Sequence, residues 1–236
     1  MAESGATTPR ERYRAQVRTE IKDHAWEQIA TAGASALSLN AIAKRMGLSG
    51  PALYRYYAGR DELITGLIKD AYRSLADTFR QASEASDASK AGASSAPGPD
   101  LTTLAHALRG WALDDPQRYF LIYGTPVPGY HAPDDITAIA QQIMATLLDA
   151  CPVTPPDSAV TPLDAHLEDH RQWAGDHPAP PATLRSALTF WTRLHGVLSL
   201  ELAGHFTGMG FDPALLFAAE LEEFSPSTPV GRTRSA

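Results

Sequence analysis

Residues Ser38–Asp61 read SLNAIAKRMGLSGPALYRYYAGRD, and the fold of the chain turns on how this stretch divides. Ser38 precedes the run LNAIAKRM and suits an N-cap, because its hydroxyl can accept an orphaned backbone N–H of the first turn. Leu39, Ile42, Ala43 and Met46 fall at i, i+3, i+4 and i+7, one face of a helix. Lys44 and Arg45 stand near its C-terminal end, where positive charge suits the helix dipole. Gly47 can take the left-handed conformation that ends such a helix, and Leu48 is expected as the buried plug of the turn. Ser49 then caps a second helix, with Pro51 inside its first turn, where a missing N–H costs nothing. Leu53 and Tyr57 are spaced to face inward, which leaves Gly50, Ala52, Tyr54, Arg55 and Tyr56 to face outward in some combination.

An outward surface of Gly, Ala, Tyr and Arg suits nucleic acid better than bulk water. Small residues let a backbone approach base edges, Tyr54 can donate to a phosphate, and Arg55 can reach a phosphate or a guanine. Two capped helices meeting at a glycine turn are the layout of a helix-turn-helix, in which one helix braces the fold and the next enters a groove. A helical hairpin with no DNA role fits the same cap–turn–cap pattern.

The N-terminal flank adds a third helix. From Arg18 to Ala32 the chain reads RTEIKDHAWEQIATA; Ile21, Ala25, Trp26 and Ile29 form an apolar stripe, and Gly33 ends it. Trp26 is expected in the core, since aromatic residues on such stripes bury their area. Ahead of the stripe, Arg10, Arg12, Arg14 and Arg18 mark a basic segment. Residues 1–17 are expected as a flexible arm, either tracking a phosphate backbone or merely solvated.

Residues 18–73 resemble the N-terminal domain of the TetR family of bacterial transcriptional regulators. The resemblance lies in ATAGASALSLNAIA, the Gly47-Leu48-Ser49 turn and PALYRYYAGRDELI from Pro51 to Ile64. The family's L-Y-x-[HY]-[FY] helix is matched by Leu53, Tyr54, Tyr56 and Tyr57, and Arg60 matches the basic residue that opens its next helix. Many members carry His where this chain has Tyr56. The resemblance implies that Gly50, Pro51, Ala52, Tyr54, Arg55 and Tyr56 face the major groove or its walls. It implies phosphate contacts from Ser49 and Arg60, and from Ser38 near the brace helix. Gly50 and Ala52 lack hydrogen-bonding side chains, so base readout would rest on Arg55, on van der Waals contact and on DNA shape.

Charge is distributed accordingly. The chain of 236 residues has net charge -7, but residues 1–73 carry +3 and residues 74–236 carry -10. A basic head on an acidic body fits a DNA reader with a separate sensory domain, and the body would repel DNA and orient the approach. The length allows one large or two modest domains. No run approaches the roughly 20 apolar residues that span a bilayer, and no basic-then-apolar segment opens the chain, so a cytoplasmic protein with no membrane partner is expected. The single cysteine, Cys151, excludes an internal disulfide. No G-x-S-x-G, glycine-rich phosphate loop or H-E-x-x-H occurs, so no enzyme and no cofactor is expected. In DAHLEDHRQW, His166 and His170 stand one turn apart with Asp164, Glu168 and Asp169 nearby. The spacing keeps a metal-sensing regulator as an alternative, although the segment reads as an exposed surface helix and no metal site is assigned.

The rest of the chain also reads as helix, which makes the fold class all-α. Residues 62–82 form an amphipathic helix on Leu63, Leu67, Ala71, Leu75 and Phe79, and the resemblance makes it the connector whose tilt sets the spacing of two DNA-reading heads. Residues 83–99 read as a flexible loop. Helices are expected over about 100–112, after Asp114 or Asp115 with Pro116 in the first turn, over about 134–150, over about 181–206, and after Asp212-Pro213. A Pro-rich stretch, 151–181, is expected to be loop-rich and the tail 226–236 disordered. The domains are thus an arm (1–17), a helix-turn-helix domain (18–62), a regulatory, ligand-binding and dimerisation domain (63–225), and a tail.

The last two helices are apolar on more than one side, too much for one monomer to cover, so a homodimer is expected. It would also satisfy two half-sites of a double-stranded operator. Trp191, His195 and Gly196 resemble the W-x-x-x-H-G signature of a regulatory-domain subgroup of the same family, and residues 114–130 resemble that subgroup too. Trp111, Tyr119, Phe120, Tyr123, Phe190, Trp191 and His195 are expected either to line a cavity for a small-molecule effector, with His195 as polar anchor, or to be core aromatics. A helical small-molecule-binding protein, with the N-terminal hairpin serving only association, is the other class of reading.

Overall fold

The computed structural model describes residues 8–90, 100–125, 133–152 and 159–224. The described residues hold ten α-helices and no strand: α1 (Pro9–Ala32), α2 (Leu39–Arg45), α3 (Gly50–Leu53), α4 (Arg60–Lys90), α5 (Leu101–Asp114), α6 (Pro116–Tyr123), α7 (Asp134–Asp149), α8 (Pro162–Asp169), α9 (Pro181–Leu202) and α10 (Pro213–Glu222). The fold is all-α, as the periodicity predicts.

The chain divides into two compact units, residues up to Ser74 with Asp115–Ile139, and Leu75–Asp114 with residues from Ala140 onward. The helices α4 and α7 each contribute residues to both.

In the first unit, Val17, Ile21, Ala25 and Ile29 form a stripe of period four on α1, and all are buried. They pack with Leu39, Ile42 and Ala43 of α2, with Leu53 and Tyr57, with Leu63, Ile64, Leu67 and Ile68 of α4, and with Ile136. Trp26 is partly buried against this core, and Arg118 of α6 lies 5.9 Å from its ring centroid. The helix α1 starts well before the apolar stripe. Thr8 caps it by accepting from the Glu11 N–H, Glu11 reaches back to the Thr8 N–H at 2.8 Å, and Pro9 sits in the first turn. Residues 9–17, expected within a flexible arm, are therefore helical, because a complete capping box starts the helix there. Residues 1–7 of that arm lie outside the described residues.

The second unit is built around α9, which packs against α5, α8 and α10. Leu184, Ala187, Phe190, Leu194 and Leu198 of α9 are buried, as are Leu104, Leu108 and Trp111 of α5 and Phe217 and Leu221 of α10. Arg109 of α5 donates to Glu201 of α9 at 2.5 Å, and both side chains are largely covered.

Several boundaries differ from the expectation. The helix α4 continues to Lys90, so 83–90 are helix, and the remainder of the expected loop, 91–99, lies outside the described residues. The alanine- and serine-rich tract has few side chains that resist a helix, and its composition masked the continuation. The stretch 151–181 contains α8, started by a capping box between Thr161 and Asp164 with Pro162 in the first turn. The helix α9 stops at Leu202, ahead of the Gly204 with φ 77° that turns the chain. The expected tail, 226–236, lies outside the described residues.

Asp164 is the buried polar anchor of α8. Its carboxylate accepts from Thr161 Oγ1 at 2.7 Å, from the Thr161 N–H at 2.8 Å and from Arg185 Nε at 2.8 Å. These bonds, those from Thr161 first, hold its pKa down at about 2 against an ordinary 3.8. The carboxylate's contribution to stability is present above the unfolded value and fades as pH falls from about 4 towards about 2. Two outcomes follow for urea titrations. Asp164→Ala should lower the midpoint at pH 6 and leave a shallower loss between pH 4 and pH 2 than the parent shows. Leu67→Ala, at a fully buried position of the first core, should cost about 2–5 kcal/mol.

Candidate nucleic-acid interface

The turn between α2 and α3 is built from backbone hydrogen bonds that the sequence specifies. Ser38 Oγ accepts from the Ala41 N–H at 3.3 Å and starts α2. At the other end the Leu48 N–H donates to the Ala43 carbonyl at 2.9 Å and the Gly47 N–H to the Lys44 carbonyl at 3.3 Å. This paired arrangement is a Schellman end. It needs a left-handed residue, and Gly47 supplies φ 67°. Leu48 packs against the core. Ser49 Oγ then accepts from the Ala52 N–H at 3.3 Å and starts α3.

Only four residues of α3 are α-helical, and the chain continues as turns through Tyr56. The reading segment is thus shorter in regular helix than the cap-to-Tyr57 expectation. It is anchored by Leu53 and Tyr57, both fully buried. Ser49, Pro51, Tyr54 and Arg55 are exposed, Tyr54 at 48%. Gly50, Ala52 and Tyr56 are half-buried, and Tyr56 packs partly on the core. A Cβ placed on Gly50 would meet only Asn40 Oδ1, at 3.7 Å. That is an ordinary contact, so the fold itself does not require glycine there.

The two other expected contact residues are tied into the fold. The Ser38 N–H donates to Gln28 Oε1 at 2.9 Å, and Gln28 Nε2 returns a bond to the Ser38 carbonyl at 3.4 Å. Gln28 therefore fixes the start of α2 from α1, a role the sequence reading missed. Arg60 Nη2 donates to the carbonyls of Ala34 and Ser35, at 2.9 and 3.3 Å, and so braces the turn that follows α1. Arg45 pairs with Glu27 at 2.5 Å.

The basic residues of the expected arm divide. Arg10 and Arg12 are exposed on the first turns of α1. Arg14 Nη2 donates to the Arg55 carbonyl at 3.2 Å, and Arg18 Nη1 to the Tyr56 carbonyl at 2.7 Å. The Arg18 guanidinium also lies 4.2 Å from the Tyr57 ring centroid and 3.5 Å from Glu62 Oε1. Arg14 and Arg18, on a basic segment expected either to track a phosphate backbone or to be merely solvated, are thus wired to the end of the reading segment. Their spacing of four was visible, but their partners lie 41 and 38 positions away.

The seven aromatic and histidine positions expected around an effector fall into both units. Tyr119, Phe120 and Tyr123 sit together on α6 in the first unit, with Tyr119 5.5 Å from Phe120 and 5.4 Å from Tyr123 between ring centroids. Tyr119 is fully buried. Trp111, Phe190, Trp191 and His195 belong to the second unit. There Phe190 meets Phe224 edge-on at 5.2 Å, and Trp191 lies 4.2 Å from the His195 ring. Burial lowers the His195 pKa to about 4, so its imidazole is neutral at neutral pH. A separate cleft of about 400 Å³ in the second unit is lined by Asp77, Arg80, Glu84, Asp87, Gln142 and Asp149, among others. Residues 126–130 of the stretch 114–130 lie outside the described residues.

His166 and His170 stack at 4.0 Å between ring centroids, and Nδ1 of His170 is 2.9 Å from the His166 carbonyl. Asp164 points into the Thr161 and Arg185 contacts rather than towards them. Among the described residues no group of three or more His, Cys, Asp or Glu is placed to hold a metal ion. Nor is any helix among them long and apolar enough to cross a membrane.

Comparison with known proteins agrees with this geometry. The family model described as bacterial regulatory proteins, tetR family, matches residues 21–67, and that described as tetracyclin repressor-like, C-terminal domain, matches residues 101–224. The HTH-type transcriptional regulators Rv1816 of Mycobacterium tuberculosis and Mb1846 of Mycobacterium bovis are each 36% identical over 217 residues, covering 88% of this chain and 90% of theirs. A crystal structure of a candidate regulatory protein, SCO4313, is 68% identical with a TM-score of 0.79, over 92% of this chain and 99% of that one. A protein of unknown function from Rhodococcus sp. RHA1, 19% identical with a TM-score of 0.59 over 95% of this chain and 97% of that one, shares the fold. From the helix-turn-helix at its head to the helical body behind it, the chain belongs to the TetR family of bacterial transcriptional regulators and is not an enzyme.

Proposed function

We propose that this regulator is a repressor that binds a palindromic operator as a homodimer and is released by a small apolar or amphipathic effector. The observation that carries the reading is the exposed one-turn α3, with Tyr54 and Arg55 outward and Leu53 and Tyr57 buried beneath it. Gly50, Pro51, Ala52, Tyr54, Arg55 and Tyr56 would face the major groove or its walls. Ser38, Ser49 and Arg60 would approach phosphates. Arg55 is the residue able to form a bidentate contact with a guanine. The double role of Arg60, on the turn after α1 and on a phosphate, is compatible with the five donors of a guanidinium.

Dimerisation is supported by apolar exposure at the end of the chain. Leu200, Met209, Phe211 and Leu215 are 44%, 63%, 41% and 70% exposed on α9, α10 and the segment joining them. A concentration of large apolar side chains in water marks a surface that another protein covers, and a second copy supplies the second half-site. Effector release would act through α4, the longer of the two helices that contribute residues to both units. By linkage the effector must bind the conformation that does not fit the operator more tightly than the one that does. Trp111, Tyr119, Phe120, Tyr123, Phe190, Trp191 and His195 are the residues proposed to contact it, with His195 as a neutral hydrogen-bonding anchor.

Selection from random-sequence duplexes, read by gel shift, should return a repeatable palindrome; no enriched sequence at low salt would refute the DNA-reading role. Tyr54→Ala and Arg60→Ala should each weaken binding to the selected duplex by about 1–3 kcal/mol with circular dichroism unchanged. Light scattering should give twice the chain mass. Leu215→Asp should shift the particle towards the monomer and weaken operator binding with it; a monomeric parent protein that still binds the full palindrome would overturn the dimer.

A further inference from the structure

A one-turn helix cannot set its own direction. Forming the first turn of a helix is unfavourable in isolation, and the last carbonyls of any helix have no partner within it. In this chain the carbonyls of Gly50, Ala52 and Leu53 accept from backbone N–H groups of the turn that follows α3, and the carbonyls of that turn are themselves met by cations from another helix. Arg14 donates to the carbonyl of Arg55 and Arg18 to that of Tyr56, and a cation at a helix C-terminal end is favourable on electrostatic grounds as well.

Arg18 does more than cap. Its guanidinium lies 4.2 Å from the Tyr57 ring centroid, the residue that plugs the segment into the core. It also reaches Glu62 Oε1 at 3.5 Å, while Glu62 Oε2 accepts from the Ala58 N–H at 2.5 Å. Residues 56, 57 and 58 are thus held in succession by one arginine and its carboxylate partner, between the walls formed by α1 and α4. A rigid planar fork suits this, because carbonyl, ring and carboxylate are engaged at once.

We infer that Arg18 is a positioning residue for DNA reading: it touches no base or phosphate, and it sets the pose of the α3 segment through the Tyr56 carbonyl, the Tyr57 ring and Glu62. The inference rests on the reading role proposed for α3.

The test uses the full chain, the selected duplex and a scrambled duplex of equal length, titrated at several salt concentrations. Arg18→Ala should weaken binding to the selected duplex about tenfold to a hundredfold, the loss of a charge-assisted hydrogen bond. Binding to the scrambled duplex should change little, and the slope of log K against log salt should stay that of the parent. Arg18→Lys should recover part of the loss, because an ammonium can reach the carbonyl but cannot span all three partners. Glu62→Gln, which keeps an acceptor for the Ala58 N–H but drops the ion pair, should lose less than Arg18→Ala. Equal losses on both duplexes with a slope shallower by about 0.9 would mean that Arg18 itself contacts a phosphate, and would overturn the inference. So would unchanged affinity. A reduced active fraction with an unchanged Kd would reduce Arg18 to a stability role and overturn it too. A parent protein that cannot distinguish the two duplexes would instead remove the reading role of α3, and this inference with it.

Discussion

The constraint on which the N-terminal unit depends is the shortness of α3. Four helical residues provide too few internal hydrogen bonds to hold a direction. Every restraint on them therefore comes from outside the helix. Gly47 and the Schellman end of α2 fix where the chain enters, Ser49 satisfies the first turn, and Leu53 and Tyr57 bury the inner face. Arg14 and Arg18 close the far end. The long helices α1 and α4 make sense as walls for this arrangement. Their apolar stripes form the core into which Leu53 and Tyr57 are set.

The same arrangement changes how the positive charge of the head should be counted. A polyanion responds to cations that are free to meet it. In this unit Arg45 is paired with Glu27, Lys22 with Asp70, and Lys69 with Asp135. Arg14, Arg18 and Arg60 donate to backbone carbonyls. These carbonyl bonds leave the charge in place but restrict where it can go. The net charge of +3 over residues 1–73 is therefore carried largely by side chains with structural duties. Arg55, on the reading segment, is exposed beside Tyr54.

The second unit follows different physics. Here α9 is a central helix packed by three neighbours, with Phe190 fully buried and Trp191 and His195 half-buried. Burial keeps His195 neutral down to about pH 4, so its imidazole offers a donor and an acceptor rather than a charge. The aromatic positions expected either around an effector or in the core belong to two units. Tyr119 and its neighbours on α6 serve the head, while Trp111 and Phe190 serve the body.

What the amino-acid sequence determined by itself was whatever acts within about one helical turn. The caps at Ser38 and Ser49, the glycine turn at Gly47 and the start of α6 and α10 behind Asp115 and Asp212 are interactions between residues five or fewer apart, and the apolar faces of α1, α2 and α4 are marked by spacings of three and four. Such signals survive in a linear reading because the partners are neighbours in the chain. The tertiary structure alone decided which carbonyls Arg14 and Arg18 would meet, that Gln28 would hold Ser38 and Arg60 the turn after α1, and that Arg109 would pair with Glu201 across 92 positions. A long flexible cation has many acceptors open to it, and its own neighbours in the sequence carry no information about which one packing will bring within reach.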